Sequence, residues 1–474
     1  SPKEMGLPGQ EYFAGSHFNP NVTWWDQSTG FISYLTRCQY MLQQGRSVAD
    51  VLYYYGDHVP NLGRYKQDDP AGALPGYDYD LINEDKLLNL TVSGNRIRLP
   101  HGVSYRLLVI PDHRTLSFAA IKKIAMLVAD GATVLGPKPT TTASLVGFPN
   151  AEEKLVTMAD QLWTKSSNPI GSNKFGKGRV IWGKTAAQVL QEDKIPADFQ
   201  VIKTDTGLVF DYIHREIAGQ VDFYFVSSQN RKKASLTCSF RNTGRQPELW
   251  DPVTGICRPL RFFKEQDGST SVDLQFDPFG SAFIIFRLPS TQTAVSGSTP
   301  PKNYPEFHDL VTLDGKWQVR FDTAWGGPAS ARFDTLQDWI SRSEPGIKYY
   351  SGKAVYQQSF DVPDLEGNNA SNDHQHFIEL GDVKDVGIAS VTLNGKDLGI
   401  TWCPPFRLPL GEALRASGNK LEILVVNSWR NRLIGDRDNS AGKKFTNTNI
   451  TVRPDWQLVP SGLTGPVKIV TARW

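Results

Sequence analysis

The chain has 474 residues, the length of roughly three or four ordinary domains, so no single core can account for it. Lys and Arg number 51 against 49 Asp and Glu, and the resulting formal charge of +2 lacks the basic excess that contacts to nucleic-acid phosphates or an anionic membrane require, so a neutral ligand fits better. No apolar run approaches the roughly 18 residues of a membrane-spanning helix, the charged fraction of 21% is too low for a disordered chain, and 12 Trp, 16 Tyr and 24 Phe offer flat amphipathic surfaces suited to sugar faces as well as to cores.

The first segment reads as a loop followed by a helix. Phe31, Leu35, Cys38 and Leu42 recur at helical spacing, and Gly45 ends the run. A lone helix behind an aromatic-rich loop has no partner in its own segment, so residues 1–47 are expected to be the end of a larger domain that begins upstream of Ser1.

From Val48 the pattern alternates. Strands are expected at Val48–Tyr55, Tyr77–Ile82, Tyr105–Pro111, Ala132–Gly136 and Gly178–Gly183, with a short helix after Asn83 and a longer one from Phe118 to Asp130, capped by Ser117 and closed by Gly131. Val-, Ile- and Leu-rich strands separated by helices predict a flavodoxin-like, doubly wound domain over 48–203. After Lys203 the period drops to two, predicting a small β-sandwich over 204–288. Residues 289–305, rich in Ser, Thr, Pro and Gly, read as a linker. A second run of short strands over 306–474, with the hairpin signal Asn394-Gly395, predicts a jelly-roll β-sandwich. The fold class is therefore multidomain, α/β plus all-β.

No glycine cradle for a pyrophosphate follows the first strand of the alternating segment, where Tyr53-Tyr-Tyr-Gly-Asp-His-Val-Pro stands instead, so no nucleotide cofactor is expected. That segment also has no cysteine, which removes an amidotransferase nucleophile. Asp57 and His58, at the carboxyl end of the first strand, are the place where it could reach a neighbour's ligand. Cys38, Cys238, Cys257 and Cys403 show no metal-binding spacing; Cys238 and Cys257 could pair across one sheet in an oxidising compartment or remain free thiols. Asp211, His214 and Arg215 form a compact polar set that reads as a buried hydrogen-bonded network at a domain junction.

The loop Gly15-Ser-His-Phe-Asn-Pro-Asn-Val-Thr-Trp-Trp puts His17, Asn19, Asn21, Trp24 and Trp25 within eleven residues. Amides and imidazole can bond ring hydroxyls while indoles cover apolar ring edges, as a sugar site requires. The alternative is that Trp24 and Trp25 pack beneath the helix and Asn21 only turns the chain. Asn427 to Asp436 likewise reads either as a sugar-binding edge or as a loop in which Arg430 and Arg432 pair with Asp436.

That loop, Tyr34-Leu-Thr-Arg-Cys-Gln-Tyr-Met-Leu, Asp211-Tyr-Ile-His-Arg, Glu248-Leu-Trp-Asp-Pro-Val-Thr-Gly, Trp402-Cys-Pro-Pro-Phe-Arg and Asn427-Ser-Trp-Arg-Asn-Arg occur in an order that resembles the α-L-rhamnosidases of glycoside hydrolase family 106. The resemblance implies that residues 1–47 are the C-terminal end of a (β/α)8 catalytic barrel and that the last sandwich is galactose-binding-like. It implies removal of terminal α-L-rhamnose by an inverting mechanism, with catalytic carboxylates upstream of this chain and no motif match for Glu4 or Glu11. It further implies a rhamnose-containing substrate bound near His17, Asn19, Asn21, Trp24 and Trp25, to which the strand-end position adds Asp57, together with a calcium ion and a periplasmic or extracellular location; the charge balance leaves no nucleic-acid partner expected. A non-catalytic carbohydrate-binding or scaffold protein built from the same modules is the alternative.

Overall fold

The computed structural model describes residues 6–11, 18–57, 62–142, 144–165, 168–203, 207–289, 302–363, 365, 375–440 and 442–474. The chain divides into two compact units, one formed by Gln39–Asn303 and the other by Ser1–Cys38 with Tyr304–Trp474. It is built mostly of strands, in an α/β plus β arrangement.

In the unit Gln39–Asn303, a six-stranded sheet runs in the order Gly171–Phe175, Gly178–Trp182, Thr133–Leu135, Leu107–Val109, Val51–Tyr54, Tyr79–Ile82. All its pairings are parallel except the first, an edge hairpin. The central strands are unbroken apolar runs because both faces are covered. Leu52, Tyr54, Leu108 and Val134 pack with Ile121, Ile124 and Val128 of the helix Phe118–Asp130 and with Leu155 and Leu162 of the helix Ala151–Trp163. Their alternate neighbours Val51, Tyr53, Leu107, Val109 and Leu135 pack instead with Ala186, Val189 and Leu190 of the helix Ala186–Glu192.

Two antiparallel sheets follow. One pairs Phe199–Lys203, Ala234–Phe240, Ser269–Phe276 and Phe263–Gln266; the other orders Cys257–Pro259, Arg245–Trp250, Ser281–Pro289, Val221–Ser228, Phe210–Ile217 and Arg46–Val48. Two elements differ from expectation. The single strand expected from Val48 to Tyr55 is divided: Arg46–Val48 bonds to His214–Glu216 in the second antiparallel sheet, and Val51–Tyr54 begins the parallel one. Phe199–Lys203, assigned by the sequence to the α/β segment, bonds to Thr237–Phe240. In both cases backbone pairing with a strand distant in sequence decides where the segment belongs. Cys238 is buried in the four-stranded sheet and Cys257 exposed in the six-stranded one, both as free thiols rather than paired across one sheet.

In the other unit, a four-stranded sheet (Glu306–Thr312, Lys468–Arg473, Gln375–Glu379, Arg407–Pro409) and a six-stranded sheet (Ala331–Phe333, Trp317–Phe321, Lys353–Phe360, Asn419–Val426, Ile388–Leu393, Lys396–Thr401) enclose a core that includes Trp317, Phe321, Trp339, Tyr356, Ile423 and Ile469. Trp339 satisfies its buried indole N–H on the Tyr356 hydroxyl at 2.6 Å. Asn394 and Gly395 take φ of 53° and 80°, the positive values the hairpin turn needs. Pro8–Gly9 pairs parallel to Asn447–Thr448. Of the segment read as a linker, residues 290–301 lie outside the described residues.

Candidate functional site

The loop Asn19–Gln27 is shaped by its own side chains. The Asn19 Oδ1 accepts from the Asn21 amide at 2.8 Å and the Asn19 carbonyl from Val22 N at 3.1 Å, a turn that an Asx residue followed by Pro20 favours. The loop is then fastened to the C-terminal sandwich of its own unit. Thr23 Oγ1 donates to the Asn427 carbonyl at 2.5 Å, and Trp429 Nε1 donates to the Asn21 carbonyl at 2.7 Å. Asn427 is fully buried; it accepts from Gly352 N at 2.9 Å and donates to Tyr350 O at 2.8 Å and Ser461 Oγ at 3.1 Å. Asp26 forms an ion pair with Lys353.

Aromatic rings continue the wall. Phe18, half-exposed, has Trp24 at 5.7 Å and Trp25 at 5.4 Å, while Phe31 and Tyr34 of the helix Thr29–Leu42 each meet Trp402 at 5.2 Å. A Cβ on Gly30 would lie 3.0 Å from the Trp402 ring, so glycine lets this helix approach the sandwich closely. Trp24 and Trp25 are themselves only partly buried, and the Asn21 side-chain amide has no partner among the described residues. The arrangement presents two partly buried indoles and a free amide on a backbone pinned at Asn21 and Thr23.

Asn19, Asn21, Trp24 and Trp25 thus belong to one unit and Asp57 to the other. Asp57 is engaged there at both oxygens: the Tyr54 hydroxyl donates to Oδ1, and Ser117 N, at the start of the helix Phe118–Asp130, donates to Oδ2 at 2.7 Å. Burial and the Asp57 carboxylate together push the Tyr54 hydroxyl far above its ordinary range. His17, His58 and Glu4 lie outside the described residues. Glu11 is exposed, and its backbone exchanges hydrogen bonds with the Asn449 side chain at 2.7 and 3.0 Å.

The polar set at Asp211–Arg215 is a network within the unit Gln39–Asn303. Buried His214 lies 3.0 Å from Asp198 through Nδ1 and 3.3 Å from Asp222 through Nε2, and its ring stacks on Tyr224 at 3.9 Å. Arg241 reaches Asp50 at 2.9 Å and Asp198 at 3.2 Å, Arg106 reaches Asp50 at 3.1 Å, and Arg245 reaches Asp222 at 2.8 Å. Burial acts to lower the His214 pKa, but the two carboxylates override it and hold the imidazolium up to about 9. Arg215 donates to Gln44 O and Gly45 O, while Asp211 pairs with Lys66 at 2.8 Å. Burial raises Asp78, the second carboxylate on Lys66, to about 6 against the pull of that ammonium.

In the helix Arg430–Arg437, Arg432 is fully buried and pairs with Asp436 at 3.0 Å. Arg430, expected to share Asp436, instead donates to Gln457 O at 3.0 Å and covers the Trp456 ring at 4.5 Å, because it leaves the helix on the other side. Among the described residues no three His, Cys, Asp or Glu side chains stand together so as to hold a metal ion.

The sequence singles out the segments Trp402–Arg407 and Asn427–Asp436 but does not show that Trp429, Asn427 and Lys353 support the loop or that Trp402 packs on the helix after it. The Trp429 bond to Asn21 spans 408 positions, and no local pattern reports such a contact.

The sheets and helices place the chain among multidomain proteins of mixed α/β and β architecture, and the comparisons narrow that class. A family model described as alpha-L-rhamnosidase, glycoside hydrolase family 106, matches residues 1–264, more than half of the sequence, and the chain belongs to this family. A solved rhamnosidase from Novosphingobium sp. PP1Y is 34% identical, with a TM-score of 0.87, over 98% of this chain and 43% of its own. A curated protein of Formosa agariphila, provisionally named a beta-glucuronidase, is 23% identical over 96% of this chain and 58% of its own length. The chain thus spans about half the length of these relatives.

Proposed function

We propose that the protein containing this chain hydrolyses terminal α-L-rhamnosides, and that the wall Asn19–Trp25 borders the sugar it binds. The observation that carries this reading is the family match, whose span includes the whole wall. The geometry supports it: Thr23 and Trp429 fix the backbone of the loop that carries the partly buried Trp24 and Trp25, so binding a sugar against them would order little that is not already ordered.

Inversion at the anomeric carbon needs one carboxylic acid to protonate the leaving oxygen and a second carboxylate, about 6.5–9.5 Å away, to activate water. The wall serves to orient the ring and cover its apolar edge for that pair. Asp57 holds a helix start and Asp436 balances Arg432. The reading assigns no calcium step to these residues. The five parallel strands, numbered along the chain, lie in the order 2-1-3-4-5, which supports a flavodoxin-like description, and the paired four- and six-stranded sheets support a galactose-binding-like sandwich. A periplasmic or extracellular location follows from the resemblance alone, and cell fractionation tests it.

The direct test is turnover of an aryl α-L-rhamnoside and an aryl β-D-glucuronide by the complete gene product. Rhamnoside turnover is expected, with KM raised about tenfold or more in Trp24→Ala and Trp25→Ala and less in the Phe variants, near-UV circular dichroism confirming the fold. Turnover of the glucuronide alone, or an unchanged KM in the folded alanine variants, would overturn the reading.

A further inference from the structure

The outer face of the six-stranded sheet that contains Trp317–Phe321 plays no part in the reading above. Strand alternation sends Trp317, Val319 and Phe321 into the core and Gln318 and Arg320 outward. The same alternation puts Gln357 and Ser359, Lys420 and Glu422, and Thr392 on that outer face. Register aligns them: Gln318 stands opposite Gln357, Gln357 opposite Glu422, and Glu422 opposite Thr392, a polar row across four strands, with Ser359 opposite Lys420 beside it.

A groove of about 560 Å³ lies over this corner, bordered by Lys316, Gln318, Arg332, Gln357, Lys420 and Glu422, a size in the range that small ligands occupy. Its charge is unbalanced. Glu422 accepts from the Gln357 amide and has Arg320 at 4.0 Å, and Arg332 is paired with Asp334 at 3.0 Å. Lys316 and Lys420 are exposed and have no ion pair among the described residues. The chain as a whole is close to neutral, so this local excess is not a by-product of general basicity. The Gln318 and Gln357 amides donate to Ser330 and Glu422, which leaves their carbonyl oxygens and the Ser359 hydroxyl to bond a polyol beside two ammonium groups that would pair with carboxylates, and no exposed aromatic ring borders the groove to stack a nucleobase.

We propose that this groove is a second, non-catalytic saccharide site that takes a sugar chain bearing carboxylates. The choice of a saccharide rests on the glycoside hydrolase reading; the choice of an acidic one rests on Lys316 and Lys420. The test is titration of the 474-residue chain with trigalacturonate, the neutral galactose trimer, inorganic phosphate and a short single-stranded DNA, with aryl rhamnoside turnover of the complete gene product measured separately. Binding of trigalacturonate is expected to exceed that of the other three, to weaken about tenfold in K316A/K420A and with added salt, and to survive in K316R/K420R. Rhamnoside turnover should be the same in all these variants. Equal binding of the neutral trimer, of phosphate or of DNA, no binding at all, or an unaltered affinity in K316A/K420A would each overturn the proposal. Failure of rhamnoside turnover would count against the hydrolase reading and leave this titration standing on its own result.

Discussion

The charge state of buried His214 is set by its surroundings. Asp198 and Asp222 flank its two ring nitrogens, and Arg241 and Arg245 answer those carboxylates in turn. The imidazole therefore holds its proton more tightly when folded, up to about 9, than in the unfolded chain, near 6.5. A raised pKa contributes stability that is complete below pH 6.5 and is lost as the pH climbs through 9. The contribution has a ceiling of about 3 kcal/mol. Urea unfolding of wild type and His214→Gln across that window should show the stability gap widest at the acid end and narrowing towards the alkaline end. A gap independent of pH would mean that the buried imidazole is neutral and the network is held by its arginines alone.

At the scale of elements, the helix Phe118–Asp130 shows how a site candidate can be a structural part. Ser117 Oγ accepts from Ala120 N at 2.9 Å and donates to Glu84 at 2.6 Å, while Asp57 takes the Ser117 amide; the helix start is thus closed by hydroxyl and carboxylate together. Ser117→Ala should cost about 1 kcal/mol in thermal unfolding, Asp57→Ala a similar amount, and the double variant a different amount from the sum, because both groups serve one terminus. Strict additivity would contradict this shared role. The cap at Ser117 and the stop at Gly131 were legible because both signals are local. The helix Ala151–Trp163 is absent from the elements expected above, although Leu155, Ala159 and Leu162 recur at helical spacing and Glu152 and Glu153 occupy its first turn. The small hairpin at Gly94-Asn95, with φ of 59° and 57°, carried a turn signal that was also passed over. Arg46–Val48 and Phe199–Lys203 went to unexpected sheets for a different reason: their partners, at His214–Glu216 and Thr237–Phe240, are distant in sequence, and strand character alone does not choose between sheets.

For the molecule as a whole, family membership was legible from ordered, tryptophan-rich motifs, whereas the support of the candidate wall was not. Asn19, Asn21, Trp24 and Trp25 could be named from a single loop. The groups that fix that loop, Asn427 and Trp429, come from the far end of the chain and become its neighbours only when the sandwich has folded. The central claim is that the protein containing this chain is an inverting rhamnosidase, and one measurement tests it most directly. Proton NMR of the first sugar released from an aryl α-L-rhamnoside by the complete gene product should show β-L-rhamnose appearing first and equilibrating later to the mixed anomers. Initial release of α-L-rhamnose would contradict inversion, and release of no rhamnose by the folded protein would contradict the activity itself.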